Sequence, residues 1–454
     1  MKNSLIQKYN VPGPRYTSYP TVPYWNELDF SYDKWIETLK KSFIESNSKD
    51  GISLYIHLPF CESMCTFCGC NKRITKNHEV EDPYITAVLK EWDLYCAVLE
   101  EKPIIKEIHL GGGTPTFFSP TNLENLLNGI FLKAEKAPNY EFSFEGHPNN
   151  TTYDHLKTLY DLGFRRVSFG VQDYSHKVQK AINRIQPFHN VAKVTLWAKE
   201  IGYTSISHDL IFGLPFQELT DIIDTIEKTK SLQPDRLAFY SYAHVPWIKG
   251  NGQRGFSDEN VPKDDEKRKL YETGKKLLAD FGYDEIGMDH FALASDTLHQ
   301  AARNKEMHRN FMGYSSSKTQ VMIGLGVSSI SDSWYSFGQN VKTIDEYYKV
   351  LESDSIPIIK GHILNEEDLI IRKHILNLMC NLETSWEGTA EKVTEIPEII
   401  AQLKEMEADG LIEIGTESIV VKEAGKAFVR NVCMAFDLHL KRKMPDTQLF
   451  SMTI

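Results

Sequence analysis

Four cysteines fall within ten positions, Cys61, Cys65, Cys68 and Cys70, in the stretch HLPFCESMCTFCGCNK at residues 57–72. Thiols packed this closely suit a metal. A tetrahedral zinc site would use all of them, and Cys65-x-x-Cys68 is a familiar half-site, but such sites usually pair two separated knuckles and the chain has no second one. The Cys-x3-Cys-x2-Cys spacing of Cys61, Cys65 and Cys68 instead suits three corners of one iron–sulfur cube. The fourth iron is then open to another ligand, and by analogy with catalytic zinc an open position marks a metal that does chemistry. Cys96, Cys380 and Cys433 lie in apolar helical surroundings and read as buried core thiols. An odd total of seven cysteines, four of them bunched, fits a reducing compartment better than a disulfide framework.

At 454 residues the chain exceeds what one hydrophobic core supports, so two domains are expected. With 41% hydrophobic and 25% charged residues the composition is that of a globular protein, and no apolar run reaches the roughly 18 residues a membrane helix needs. MKNSLIQKYNVPGPRYTSYP has no apolar signal region, so a cytoplasmic protein without a membrane partner is expected. A net charge of -11 with no Lys/Arg-rich block argues against sequence-independent nucleic-acid binding. An anionic small molecule stays open, provided cations gather locally around it.

The elements that must position the thiols alternate from residue 52 onward. Strand candidates ISLYIHL, IKEIHLGGG, YEFSFEGHP, RRVSFGVQ, YTSISHDLIFG and DRLAFYSY are separated by amphipathic stretches at 82–100, 121–135, 151–162, 191–201 and 221–231. Such repeats imply parallel strands with helical crossovers, as an open doubly wound sheet or as a complete or partial (β/α) barrel. Cys61, glycines 111 to 113, Glu145, Gln172, Asp209 and Tyr240 with Ser241 fall at or just past the C-terminal ends of their strands, where parallel α/β folds bind ligands. Residues 1–45, rich in proline and aromatics, read as a segment that wraps a domain. Residues 46–350 form the catalytic unit and 351–454 a mostly helical, winged-helix-like C-terminal domain, read from a helix ending at Gly410, two short strands around 415–417 and a closing helix.

Cys-x3-Cys-x2-Cys with an aromatic residue, Phe67, before the third cysteine is the signature of radical S-adenosylmethionine (SAM) enzymes, and among them the sequence resembles the oxygen-independent coproporphyrinogen III oxidases (dehydrogenases). The resemblance is carried by RYTSYPT (15–21), LYIHLPFCESMCTFCGCNK (54–72), HLGGGTPTFF (109–118), VSFGVQD (167–173), HDLIFGLP (208–215), YSYAHVPW (240–247), IGMDHFA (286–292), HRNFMGY (308–314) and IGLGVSSIS (323–331), and the C-terminal RNVCMAFD continues it. It implies a partial (β/α) TIM-like barrel of about six units and anaerobic oxidative decarboxylation of coproporphyrinogen III to protoporphyrinogen IX by a 5′-deoxyadenosyl radical. A haem-chaperone-like or haem-modifying paralogue is the nearest rival, and a non-enzymatic zinc module the remote one. RYTSYPT, the Cys-Gly-Cys ending, YSYAHVPW and HRNFMGY favour the coproporphyrinogen branch.

The resemblance also implies roles. Cys61, Cys65 and Cys68 hold a 4Fe-4S cluster whose open iron is chelated by SAM. Gly112, Gly113 and Thr114 approach the methionine part of SAM, glycine allowing close backbone contact because it lacks a Cβ. Tyr55, Glu145 and Ile330 match first-SAM positions. Phe67, Gln172, Arg184, Asp209 and Ala243, with Gly113 and Thr114, match those of a second SAM. There a guidinium fork at Arg184 suits a carboxylate and Asp209 suits ribose hydroxyls. Cys70 is read as a non-ligand, since a fourth thiolate would block SAM, and His57 as a hydrogen-bonding support rather than a ligand. Arg15, Arg303, His308 and Arg309 are candidate cations for the substrate carboxylates. Flavodoxin or ferredoxin is the expected electron donor, and a monomer the expected state.

Overall fold

The computed structural model describes residues 3–26, 30–245, 253, 256–388, 392–443, 445, 447 and 449–453. Six strands lie side by side in sequence order and in parallel: β1 (Ile52–Leu58), β2 (Ile104–Gly112), β3 (Glu135–Gly146), β4 (Phe164–Gln172), β5 (Ser205–Phe212) and β6 (Arg236–Ser241). A seventh, β7 (Met322–Leu325), pairs parallel with β1 on its other side. Antiparallel strands extend both edges, His290–Ala292 and Asp284–Gly287 beyond β6 and Ile330–Asp332, Ser336–Asn340 and Ile358–Ile363 beyond β7. The resulting twelve-stranded sheet has two free edges. Of the arrangements the alternation allowed, it is the partial barrel.

The crossovers α1 (Glu81–Leu99), α2 (Pro120–Leu132), α3 (Tyr153–Asp161), α4 (Phe188–Ile201) and α5 (Leu219–Leu232) begin and end where local chemistry dictates. Ser119 caps α2 ahead of a proline in its first turn, and Thr152 forms a capping box with His155 at α3. Gly202 closes α4 at φ 110, a left-handed conformation that costs glycine little. Their apolar faces join the strands in one core around Leu54, Ile56, Trp92, Leu127, Phe142 and Phe144.

Two expectations need correction. The helix Tyr32–Asp50 belongs to this core and not to a wrapping segment: Trp35, Leu39 and Phe43, at helical spacing, are fully buried in it, and Ser31 caps its start. The sheet also continues past residue 350 to Ile363, so we propose the domain division between Ile363 and the helix Glu366–Asn381. The C-terminal part packs that helix, Ile396–Ala408 and Val429–Phe436 around a three-stranded antiparallel sheet that includes Glu383–Ser385, a strand the sequence reading lacked. Tyr9, Tyr16 and Tyr19 of the N-terminal segment pack into this second core, and Arg430 donates to the carbonyls of Gly13, Pro14 and Met452. Cys380 and Cys433 are buried as expected, whereas Cys96 is only partly so. Among the described residues, no helix is long and apolar enough to cross a membrane.

Candidate active site at the strand ends

The cysteine loop leaves β1 at Leu58 and is clamped at both ends. At its base Phe60–Cys61 pairs with Arg73–Ile74, the Arg73 amide donating to Pro59 O (2.8 Å) and the Thr75 amide to Cys61 O (2.9 Å). At its tip the Thr66 amide donates to Ile182 O (3.0 Å) and Asn183 Nδ2 to Met64 O (2.8 Å), both in the connection after β4. An irregular loop is thereby held against the mouth of the barrel.

It faces a cavity of about 420 Å³. Cys61, Cys65, Cys68, Cys70 and Phe67 form one wall, and Gly112, Gly113 and Thr114 after β2, Glu145 on β3, Gln172 on β4 and Asp209 on β5 form the other, with Arg184 between them. Thr114 Oγ1 donates to Cys61 Sγ (3.3 Å) and Arg184 Nη1 to Cys65 Sγ (3.6 Å). The glycine wall is close-fitting. A Cβ on Gly112, whose φ is +113, would lie 2.9 Å from the His57 ring, and one on Gly113 2.6 Å from the Pro59 carbonyl. His57 itself bonds the Tyr55 hydroxyl (3.1 Å) and Asn71 O (2.9 Å) behind that wall.

Electrostatics separate the thiols. Burial pushes Cys61 up to about 11, partly offset by the Thr114 hydroxyl. A hydrogen bond between Cys70 and Cys68 lowers the pKa of the Cys68 thiol and raises that of Cys70. Burial raises Asp209 to about 7, opposed by the hydroxyl of Ser168 at 2.8 Å. Arg184 commits two of its five N–H groups, Nη2 to Gly170 O (2.6 Å) and Nη1 to Cys65 Sγ (3.6 Å), and its Nε has no partner among the described residues. Converging thiols, donors aimed at two sulfurs and a wall without Cβ atoms fit a thiolate-held iron–sulfur cluster with a ligand against its backbone.

Other expected residues lie apart. Tyr55 stacks on His109 beneath Gly111, and Ile330, on the strand beyond β7, packs toward Trp25 and Phe337. Ala243 lines a neighbouring cavity, tied to Phe67 through Gln253, whose Nε2 reaches Ala243 O (3.0 Å) and Phe67 O (3.5 Å). Arg15 pairs with Asp289 (3.1 Å), and Arg309, buried over the Tyr314 ring, donates to Arg15 O (3.2 Å). The structure does not bring the other two cation candidates to this cluster. Arg303 is exposed beside Lys305. His308 is buried, and desolvation pushes its imidazole down to about 3, so it is neutral rather than cationic. Pro246 and Trp247 of YSYAHVPW lie outside the described residues.

Among the cavity residues without a role assigned from the sequence, two are basic and close to the thiols or to Arg184. Lys72 donates to Cys68 O (3.1 Å) and Cys70 O (3.3 Å), and its signal was present as the last residue of the quoted cysteine stretch. His147, just past β3, is held neutral by burial and by Arg184. Nothing local distinguished it from a turn residue.

Comparison with known proteins points one way. A family profile described as the Radical SAM superfamily matches residues 55–229. The oxygen-independent coproporphyrinogen III oxidase of Helicobacter pylori is 37% identical over 448 residues, covering 96% of each chain. Its counterpart from Synechocystis is 36% identical over 99% of this chain and 97% of its own, and that of Escherichia coli 35% identical over 97% and 96%. The solved structure of coproporphyrinogen III oxidase (HemN) from Escherichia coli, described as a radical SAM enzyme, superposes with a TM-score of 0.89 at 32% identity, covering 96% of this chain and 98% of that one.

Proposed function

The chain belongs to the oxygen-independent coproporphyrinogen III oxidase family of the radical SAM superfamily, and from that membership we propose that it decarboxylates two propionates of coproporphyrinogen III oxidatively to vinyl groups. The product is protoporphyrinogen IX, a haem precursor. The observation that carries the reading is the convergence of Cys61, Cys65 and Cys68 with the glycine wall on one cavity.

When bound, a 4Fe-4S cluster and SAM supply one-electron cleavage of SAM and a carbon radical able to take hydrogen from a propionate β-carbon. The protein's part is to hold and orient. Cys61, Cys65 and Cys68 would ligate the cluster, and Cys70, outside that spacing, would leave one iron for SAM. Thr114 and Arg184 donate to ligand sulfurs, which stabilises thiolates. Gly112, Gly113 and Thr114 present backbone to SAM, with Glu145 beside them and Tyr55 and Ile330 one layer behind. Phe67, Gln172, Arg184, Asp209 and Ala243 would receive a second SAM, Asp209 facing ribose with a proton it holds near neutral pH. A carboxylate there would take N–H groups of Arg184 that its bonds to Gly170 and Cys65 leave over. Arg15, which lines the neighbouring cavity, and Arg309 behind it would be the cations for substrate carboxylates. We also infer a monomer that takes electrons from flavodoxin or ferredoxin in a reducing cytoplasm.

Anaerobic incubation with coproporphyrinogen III, SAM and a reductant should give protoporphyrin fluorescence after oxidation. A colourless protein holding zinc and no iron or sulfide would defeat the proposal.

A further inference from the structure

A second cavity, of about 240 Å³, opens at the C-terminal ends of β5 and β6, lined among others by Arg15, Phe212, Ser241, Ala243 and Lys267. Gln253, bridging Ala243 O and Phe67 O, ties its rim to the cysteine loop. Lys267 reaches it from the helix Asp264–Asp280 by crossing the chain at Gly213, just past β5. A Cβ there would lie 2.8 Å from Lys267 Cε, and the φ of +79 also favours glycine. The path ends with Nζ donating to Tyr242 O at 2.9 Å.

No carboxylate pairs with this ammonium among the described residues. Of the acids nearby, Asp289 pairs with Arg15 (3.1 Å), Glu285 with Lys275 and Glu272 with Arg268, while Asp264 lines the same cavity without an ion pair to Lys267. Desolvation, and then the like charge of Arg15, push Lys267 down to about 8. A desolvated cation hydrogen-bonded to a carbonyl, with Asp289 attracting it from beyond contact and already paired to Arg15, is costly, and an anion entering the cavity would relieve that cost. We propose that Lys267 anchors a carboxylate of the substrate in this cavity, a propionate if the function proposed above holds, on which that identification rests. A lysine kept only as a strut to Tyr242 O would be replaceable by a neutral donor, which separates the two roles.

Anaerobic equilibrium dialysis of coproporphyrinogen III against reconstituted wild type, K267Q, K267M and K267R tests it. The Kd should rise about tenfold or more in K267Q and K267M and stay near wild type in K267R, with iron content and Tm unchanged. Equal Kd values for wild type and K267Q, or no binding by wild type, would overturn the proposal. So would loss of iron in both neutral variants, which would mark Lys267 as a structural strut. Turnover by wild type is a separate readout: binding that depends on Lys267 without any product would overturn the activity and leave the carboxylate site standing.

Discussion

The two ends of the same six strands carry equally polar side chains to opposite purposes. At the N-terminal end Glu107 accepts from Ser53 (3.0 Å) and Ser315 (2.8 Å), Arg166 pairs with Glu141, and Asp296 accepts from Arg236 (2.6 Å) and Ser205 (2.7 Å). These groups are buried or nearly so and answer one another. At the C-terminal end, four residues further along the same strand faces, Glu145 and Asp209 front an open cavity together with the thiols of the loop after β1. The difference is one of surroundings rather than of residue type: the lower end pairs its polar groups with one another in the interior, and the upper end holds each by a neighbour, Asp209 by Ser168 and Glu145 by His109, while both face the cavity.

The comparison breaks most sharply at the cluster. Cys65→Ser should abolish SAM-dependent activity, a loss of about a thousandfold or more, while the apoprotein's Tm moves little, because Cys65 anchors no core. A large fall in apoprotein stability, followed by thermal denaturation, would show that the upper end is structural too. Asp296→Ala should do the reverse. It leaves Arg236 with Thr297 Oγ1 (2.9 Å) and the more distant Glu141, takes the acceptor of Ser205 and removes the cap that accepts from the Leu298 amide (2.7 Å), so unfolding in urea should report a loss of about 3 kcal/mol. Activity per bound cluster should hold.

Gly112→Ala is expected to weaken SAM binding by about tenfold, since the backbone must leave φ +113 or the His57 ring must move. Equilibrium dialysis of SAM measures it. The smallest effect is one of pH. Folding raises the Asp209 carboxyl from its ordinary value near 4 to about 7, so the native state keeps a proton that the unfolded chain has lost, and stability falls as pH rises through that window. Asp209→Asn should therefore stabilise the apoprotein above pH ~7 and lose this advantage toward pH ~4, as melts across that range would record.

Much of the upper end was legible in the chain because it is local. Cys61 to Cys70 with Lys72, and Gly111 to Thr114, are contiguous runs following strands whose apolar pattern is plain. The strand-end rule then gathered Glu145, Gln172 and Asp209. The helix Tyr32–Asp50 was legible as well, in Trp35, Leu39 and Phe43 after Ser31, but the prolines before it suggested loop. Lys267 was not legible. It lies on an outer helix, far in sequence from Arg15 and Tyr242, and only the gap at Gly213 gives its ammonium a way inward. His308 shows the opposite failure, a residue of the right type whose burial removes its charge.

The central claim is that three thiols hold the cluster and the fourth does not. Iron and sulfide counts on reconstituted wild type, Cys65→Ser and Cys70→Ser, with the EPR spectrum of each reduced protein before and after SAM, test it directly. Wild type and Cys70→Ser should each carry about four irons and show a spectrum that SAM alters, and Cys65→Ser should not. A Cys70→Ser protein without the cluster, beside a Cys65→Ser protein that keeps it, would contradict the account.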